Sequence, residues 1–229
     1  MKLKQRLENI RERIHRVADS CNRDPDSIRL VAVSKTVPAE TVKTAIEAGA
    51  KILGENYVQE AREKFNELVH YPVSWHFIGH LQSNKAKYAV RLFDLIHSVD
   101  SLKLARALDK EAKKVDKIQP ILIQINISGE DTKSGISAAE VPGLILEVSQ
   151  LENLSLEGLM TMPPYFYQPE KVRPYFAALR ELRDRLKDQP IPNVSMDELS
   201  MGMTGDFEVA IEEGATLVRI GTAIFGERK

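Results

Sequence analysis

Lys35 closes the run Arg29-Leu-Val-Ala-Val-Ser-Lys35-Thr-Val-Pro38, a short apolar strand followed by a proline suited to the first turn of a helix. Desolvation at a buried strand end disfavours an ammonium. Such a lysine either pairs with an anion or becomes a neutral amine able to form a Schiff base with an aldehyde or ketone. The plainer alternative is a side chain that snorkels into solvent. Arg219 sits in Leu217-Val-Arg219-Ile-Gly221-Thr-Ala-Ile-Phe225, where strand alternation puts 217, 219, 221 and 223 on one apolar or small face. A guanidinium there keeps its proton and needs an acceptor, either a carboxylate such as Glu55 or Asp197 or a group on a ligand. The loop Ser200-Met-Gly-Met-Thr-Gly205 places two glycines and two hydroxyls directly before a helix, a setting that attracts anions. His76 and His80 have metal-like spacing, but their segment reads as a strand, which separates the rings by about 13 Å, too far for one zinc with bonds of about 2 Å. No metal is expected. His15, His70 and His97 read as surface or packing residues, and Met160, Met162, Met201 and Met203 as core filler.

Residues 2–21 carry Leu3, Leu7, Ile10, Ile14, Val17 and Cys21 at steps of three and four, an amphipathic helix whose apolar face lacks Trp and Phe and so packs on the protein rather than a membrane. Beyond Lys35 the patterns predict a helix from Pro38 to Ala48 stopped by Gly49, a strand over 51–54, and a helix over 57–69. Strands follow over 74–80, 95–99, 120–127, 154–162, 194–201 and 216–225, with helices between them. Asp100 is the expected N-cap of one helix, and Ser137 with Glu140 forms a capping box ahead of another. Eight strands alternating with helices in 229 residues predict a single α/β domain, 1–229. Its expected form is a (β/α)8 TIM-type barrel with an extra N-terminal helix (1–22) covering the region beside strand eight. Ala45-Ile-Glu-Ala-Gly-Ala50 echoes Ala210-Ile-Glu-Glu-Gly-Ala215, each a helix end, a stop and a strand start. An open eight-stranded sheet is the alternative, without the glycine fingerprint of a dinucleotide fold.

In such a barrel the site lies at the carboxyl ends of the strands, with phosphate beside strands seven and eight. Those ends bring Lys35, Asn56, His80, Ser200-Met201-Gly202, Arg219 and Gly221-Thr222 together. Thirty-two Lys and Arg against 33 Asp and Glu leave a net charge of −1, so no nucleic-acid footprint is expected. Cys21 is the single cysteine, nothing resembles a signal peptide, and no apolar run approaches the roughly 18 residues of a membrane span. The expectation is a cytoplasmic protein.

Val31-Ala-Val-Ser-Lys35, Gly54-Glu-Asn56-Tyr, Trp75-His-Phe-Ile-Gly79-His-Leu-Gln82-Ser-Asn-Lys85, Leu199-Ser-Met-Gly-Met-Thr-Gly-Asp206 and Val218-Arg-Ile-Gly-Thr-Ala-Ile-Phe-Gly226 resemble, in order and spacing, the pyridoxal phosphate homeostasis proteins. The resemblance implies a fold type III barrel of the alanine racemase kind that holds pyridoxal 5′-phosphate (PLP) as an aldimine on Lys35. It also implies Arg219 facing the pyridine nitrogen, Ser200, Met201, Gly221 and Thr222 around the phosphate, and Asn56 and His80 lining the ring. No C-terminal β domain of the racemase type is expected. An arginine opposite the ring nitrogen only donates, which leaves the electron sink weak. Racemisation needs a second proton-transfer group, which alanine racemases take from that extra domain of a partner subunit. The resemblance therefore implies a monomeric, non-enzymatic PLP carrier that regulates vitamin B6 and, indirectly, amino- and keto-acid pools. Apo forms of PLP-dependent enzymes are its candidate recipients. A weak amino-acid racemase and a cofactor-free Schiff-base aldolase are the competing readings.

Overall fold

The computed structural model describes residues 2–130, 133–189 and 191–227. Eight parallel strands pair in chain order and close on themselves, so the barrel, not the open sheet, is the architecture. The strands are β1 (Arg29–Val33), β2 (Ile52–Glu55), β3 (Ser74–Phe77), β4 (Leu95–Val99), β5 (Gln119–Ile125), β6 (Leu154–Thr161), β7 (Val194–Met203) and β8 (Leu217–Ile220). Each runs nearly apolar because both faces are covered, as parallel strands require. Val31, Ile52, Leu95, Leu122, Met160 and Leu217 pack as one cluster inside the barrel, while a larger cluster fills the layer between strands and helices. Closure pairs β1 with β8, and Val31 stands opposite Arg219.

The helices are α1 (Leu3–Ser20), α2 (Ala39–Glu47), α3 (Val58–Leu68), α4 (Ala86–Leu92), α5 (Leu102–Lys113), α6 (Val141–Val148), α7 (Arg173–Lys187), α8 (Phe207–Glu212) and α9 (Thr222–Phe225). α1 buries Leu7, Ile10, Ile14 and Ala18 and packs on α8 and α9. Arg13 pairs with Glu208 at 2.9 Å, and Arg23 donates to the Ile211 and Ala215 carbonyls at 2.6 and 2.8 Å. The N-terminal helix thus covers the β8 side, where it packs on the short α9 as well as on α8. No helix among the described residues is long and apolar enough to cross a membrane. The two echoing segments end alike, with Gly49 and Gly214 both at φ +97°, a left-handed stop that favours glycine.

Several expected element ends need correction; β3 stops at Phe77, short of His80, and β7 runs on to Met203. The eighth strand stops at Ile220, not Phe225, and the chain turns at Gly221 into α9, whose Ile224 and Phe225 N–H groups donate to the Gly221 carbonyl. Its apolar alternation ran on, but β1 offers no strand partner beyond Val33. Ser101, not Asp100, caps α5, its hydroxyl accepting from the Leu104 N–H at 3.3 Å. At α6 the helix begins after Glu140, whose carboxylate accepts from the Ser137 N–H and hydroxyl, so only the backward half of the capping box forms.

Candidate functional site

Lys35 lies two residues past β1 in a turn, half-buried, and lines a cavity of about 280 Å³ at the carboxyl end of the barrel. Val33, Asn56 and Ile78 continue its wall from the first three strands; Met162, Tyr165 and Phe166 cover it from the segment after β6. Met203, Thr204, Gly205 and Asp206 contribute the turn after β7, and Arg219, Gly221 and Thr222 the end of β8. The Thr222 and Thr204 hydroxyls lie 3.3 Å apart, and Met203 N–H donates to Asp206 Oδ1 at 2.6 Å, which ties the glycine turn to the start of α9.

Arg219 is 3 % exposed. Its Nη1 donates to Ser200 Oγ at 2.6 Å and its Nη2 to the Thr161 carbonyl at 2.8 Å, so neither Glu55 nor Asp197 is its acceptor. Burial lowers its pKa to about 10, with the Asp206 carboxylate opposing, so the group remains a cation at neutral pH. Burial raises the Asp206 pKa in turn, against the pull of the Met203 N–H and Arg219.

Beneath Arg219 a buried chain crosses the barrel. Ser200 Oγ lies 2.8 Å from His97 Nδ1, and His97 Nε2 lies 2.9 Å from His76 Nδ1. Burial is the main cause that lowers His76 to a pKa of about 3 and His97 well below its usual value; the nearby cations add to it. Both rings are therefore neutral. Because Ser200 Oγ accepts from Arg219, the order that satisfies all three bonds has the hydroxyl donating to His97 Nδ1 and His97 Nε2–H donating to His76 Nδ1. An electrically neutral relay thus fixes a permanent cation.

Of the eight residues singled out in the sequence, Lys35, Asn56, Arg219, Gly221 and Thr222 share the cavity. Ser200 lies under it, bonded to Arg219. Met201 turns into the core between barrel and helices. His80 stands at the rim with its side chain 62 % exposed, its Nδ1 3.7 Å from Asp100 Oδ2. Sequence reasoning missed Asp206, the Phe166 cover and the roles of His76 and His97; Tyr165 it weighed, with Tyr57 and Tyr167, only as a substitute for the racemase tyrosine. Only Asp206 carried a signal, at the end of the glycine loop.

The residues fit PLP. Asn56 lines the cavity and its Oδ1 is buried without a hydrogen-bond partner, so a donor on a bound group would satisfy it. Around it stand a primary amine for an aldehyde, a fixed guanidinium for a ring nitrogen, and hydroxyls with glycine backbone for an anion. The volume suits one small ring and its substituents rather than a dinucleotide.

The family model for alanine racemase, N-terminal domain, matches residues 5–229. The pyridoxal phosphate homeostasis protein of Aquifex aeolicus is 47 % identical over 225 residues, covering 98 % of both chains. That of Escherichia coli K12 is 44 % identical over 229 residues, covering 97 % of this chain and 95 % of its own. Among solved structures, PipY of Synechococcus elongatus with PLP bound superposes with a TM-score of 0.86 at 36 % identity, over 98 % of this chain and all of PipY. Clostridium difficile alanine racemase, at 17 % identity and a TM-score of 0.69 over 99 % of this chain and 56 % of its own, shares the fold. The barrel, the motifs it assembles and these relatives place the chain in the pyridoxal phosphate homeostasis protein family.

Proposed function

We propose that this protein binds PLP in the cavity and holds it as a reserve for vitamin B6 homeostasis, without catalysing a reaction of its own. The observation that carries the reading is that Lys35 and Arg219, from opposite ends of the chain, line one cavity of about 280 Å³. The PLP-bound PipY supports it. When bound, PLP supplies an aldehyde that condenses with the Lys35 amine, releasing water, and a ring whose electron-accepting strength depends on the group at its nitrogen. Arg219 is that group: it donates and cannot surrender its proton to the ring. Ser200 and the Thr161 carbonyl keep its fork in one orientation. Gly205, Gly221, Thr204 and Thr222 take the phosphate, Asn56 Oδ1 accepts from the ring, and Tyr165 and Phe166 limit water. His80 and Met201 contribute less, since their side chains lie outside the cavity. The holder acts in the cytoplasm as a monomer that passes PLP to apo-enzymes.

Incubation with PLP should give a yellow protein. Borohydride should bleach it and fix the label on Lys35 in a peptide map, and Lys35→Ala should show neither. A wild-type chain that stays colourless with PLP refutes the proposal and favours an aldolase use of Lys35. A second reading, weak racemisation, is favoured by one observation: Tyr165, whose phenol is a group able to transfer a proton, lines the same cavity as Lys35. Single amino-acid enantiomers in deuterated water discriminate. Deuterium at the α-carbon that is lost in Tyr165→Phe supports the racemase.

A further inference from the structure

Lys64 is a cation in the layer between barrel and helices, its side chain 6 % exposed, and the chemistry above makes no use of it. Its Nζ donates to the Ser34 carbonyl at 2.5 Å, to Glu55 Oε1 at 2.8 Å and to Glu60 Oε1 at 2.6 Å. Glu55 Oε1 also accepts from the Ser34 hydroxyl at 2.6 Å, and Glu60 Oε1 accepts from the Thr36 N–H. Glu55 ends β2, while Glu60 and Lys64 stand one turn apart on α3. Two elements that follow Lys35 in the chain thus reach back to the residues on either side of it.

Thr36 has φ +62°. A β-branched residue adopts the left-handed region only where its surroundings force it, and such residues gather at functional sites. Here the forcing groups are visible: one bond grips the Thr36 N–H and two grip Ser34. A buried ion pair is a weak source of stability, and its better-attested use is to select one conformation. Lys64 sits among two carboxylates where an apolar side chain would cover the same surface, so conformational selection is the reading the contacts favour.

We propose that Lys64, with Glu55 and Glu60, is the positioning device for Lys35: the three clamp the Ser34–Thr36 turn in its left-handed form and thereby aim the Lys35 amine into the cavity. The inference rests on Lys35 being the amine that takes PLP. Lys64→Met removes all three donations; Glu60→Ala removes the hold on Thr36 and one of the Lys64 donations, and leaves the Lys64–Glu55 pair and the Lys64 bond to the Ser34 carbonyl in place. The glycine of Thr36→Gly adopts positive φ without constraint, so it replaces the clamp by intrinsic preference.

The measurement is PLP affinity by titration of the yellow band, with labelling of Lys35 after borohydride and thermal unfolding followed in parallel. Lys64→Met should bind PLP about tenfold more weakly and Glu60→Ala severalfold more weakly. Adding Thr36→Gly to either should recover most of the loss, whereas Thr36→Gly alone should change affinity by less than about twofold. If Lys64→Met unfolds, Glu60→Ala carries the test by itself. Variants that unfold earlier yet bind PLP like the wild type, or losses that Thr36→Gly does not restore, overturn the clamp and leave Lys64 as an anchor for α3. A wild-type chain that takes no label on Lys35 instead refutes the assignment of Lys35, and the clamp falls with it.

Discussion

Arg219 and Lys35 were legible because each is a charge embedded in an apolar run, where chance placement is costly. His97 was not. Its neighbours along β4 are ordinary strand residues, and what isolates it is closure against His76 and Ser200, which lie 21 and 103 residues away. The two histidines have a consequence that can be measured. In the unfolded chain they titrate near 6.5, whereas in the barrel His76 holds out to about 3 and His97 also lies well below its usual value. Below pH 6.5 the unfolded chain therefore binds protons that the folded chain refuses. Their contribution to stability is complete above that pH and lost on acidification, through about pH 3 for His76. Each histidine should steepen the loss by up to about 1.4 kcal/mol per pH unit. Urea unfolding at pH 7.5 and pH 5 measures the slope, and His97→Gln should reduce it. Arg219→Ala should weaken PLP binding and lower stability by about 1–3 kcal/mol, because Ser200 Oγ and the Thr161 carbonyl lose their donor. Urea midpoints and a PLP titration test both halves.

At the level of strands and helices, hydrophobic periodicity located all eight strands, since burial on both faces leaves a strong local record. It failed at ends, where the deciding contacts are tertiary. α9 begins where β8 loses its neighbour, and Ser101 caps α5 although Asp100 has the more common capping chemistry. The junction after β3 shows how ends shape the site. A Cβ built on Gly79 would lie 2.3 Å from the Asn56 carbonyl oxygen and 2.7 Å from its Cα. Only glycine lets the segment after β3 approach Asn56, which lines the cavity. Gly79→Ala should therefore push Asn56 outward, lowering PLP affinity about tenfold and stability by about 1–3 kcal/mol. Calorimetry with and without PLP checks both numbers.

The molecule as a whole is a ring closed by its two ends. α1 seals the side where β8 meets β1, with Leu7 fully buried, so Leu7→Ala should cost about 2–5 kcal/mol of stability while leaving the absorption of bound PLP unchanged. Thermal melts and a spectrum suffice to check this. The N-terminal helix was readable from a stripe of apolar residues, but the histidine relay and the Lys64 clamp were not, because both join elements that only closure brings together. The register that sets Val31 opposite Arg219 also fixes a schedule. A growing polypeptide carries Lys35 from early in synthesis, yet the guanidinium that shares its cavity does not exist until residue 219 has been made. With Lys35 and Arg219 in the roles proposed for them, the half-made chain has throughout that interval an amine and nowhere to keep a vitamin, so loading must wait for the ribosome to finish the last strand.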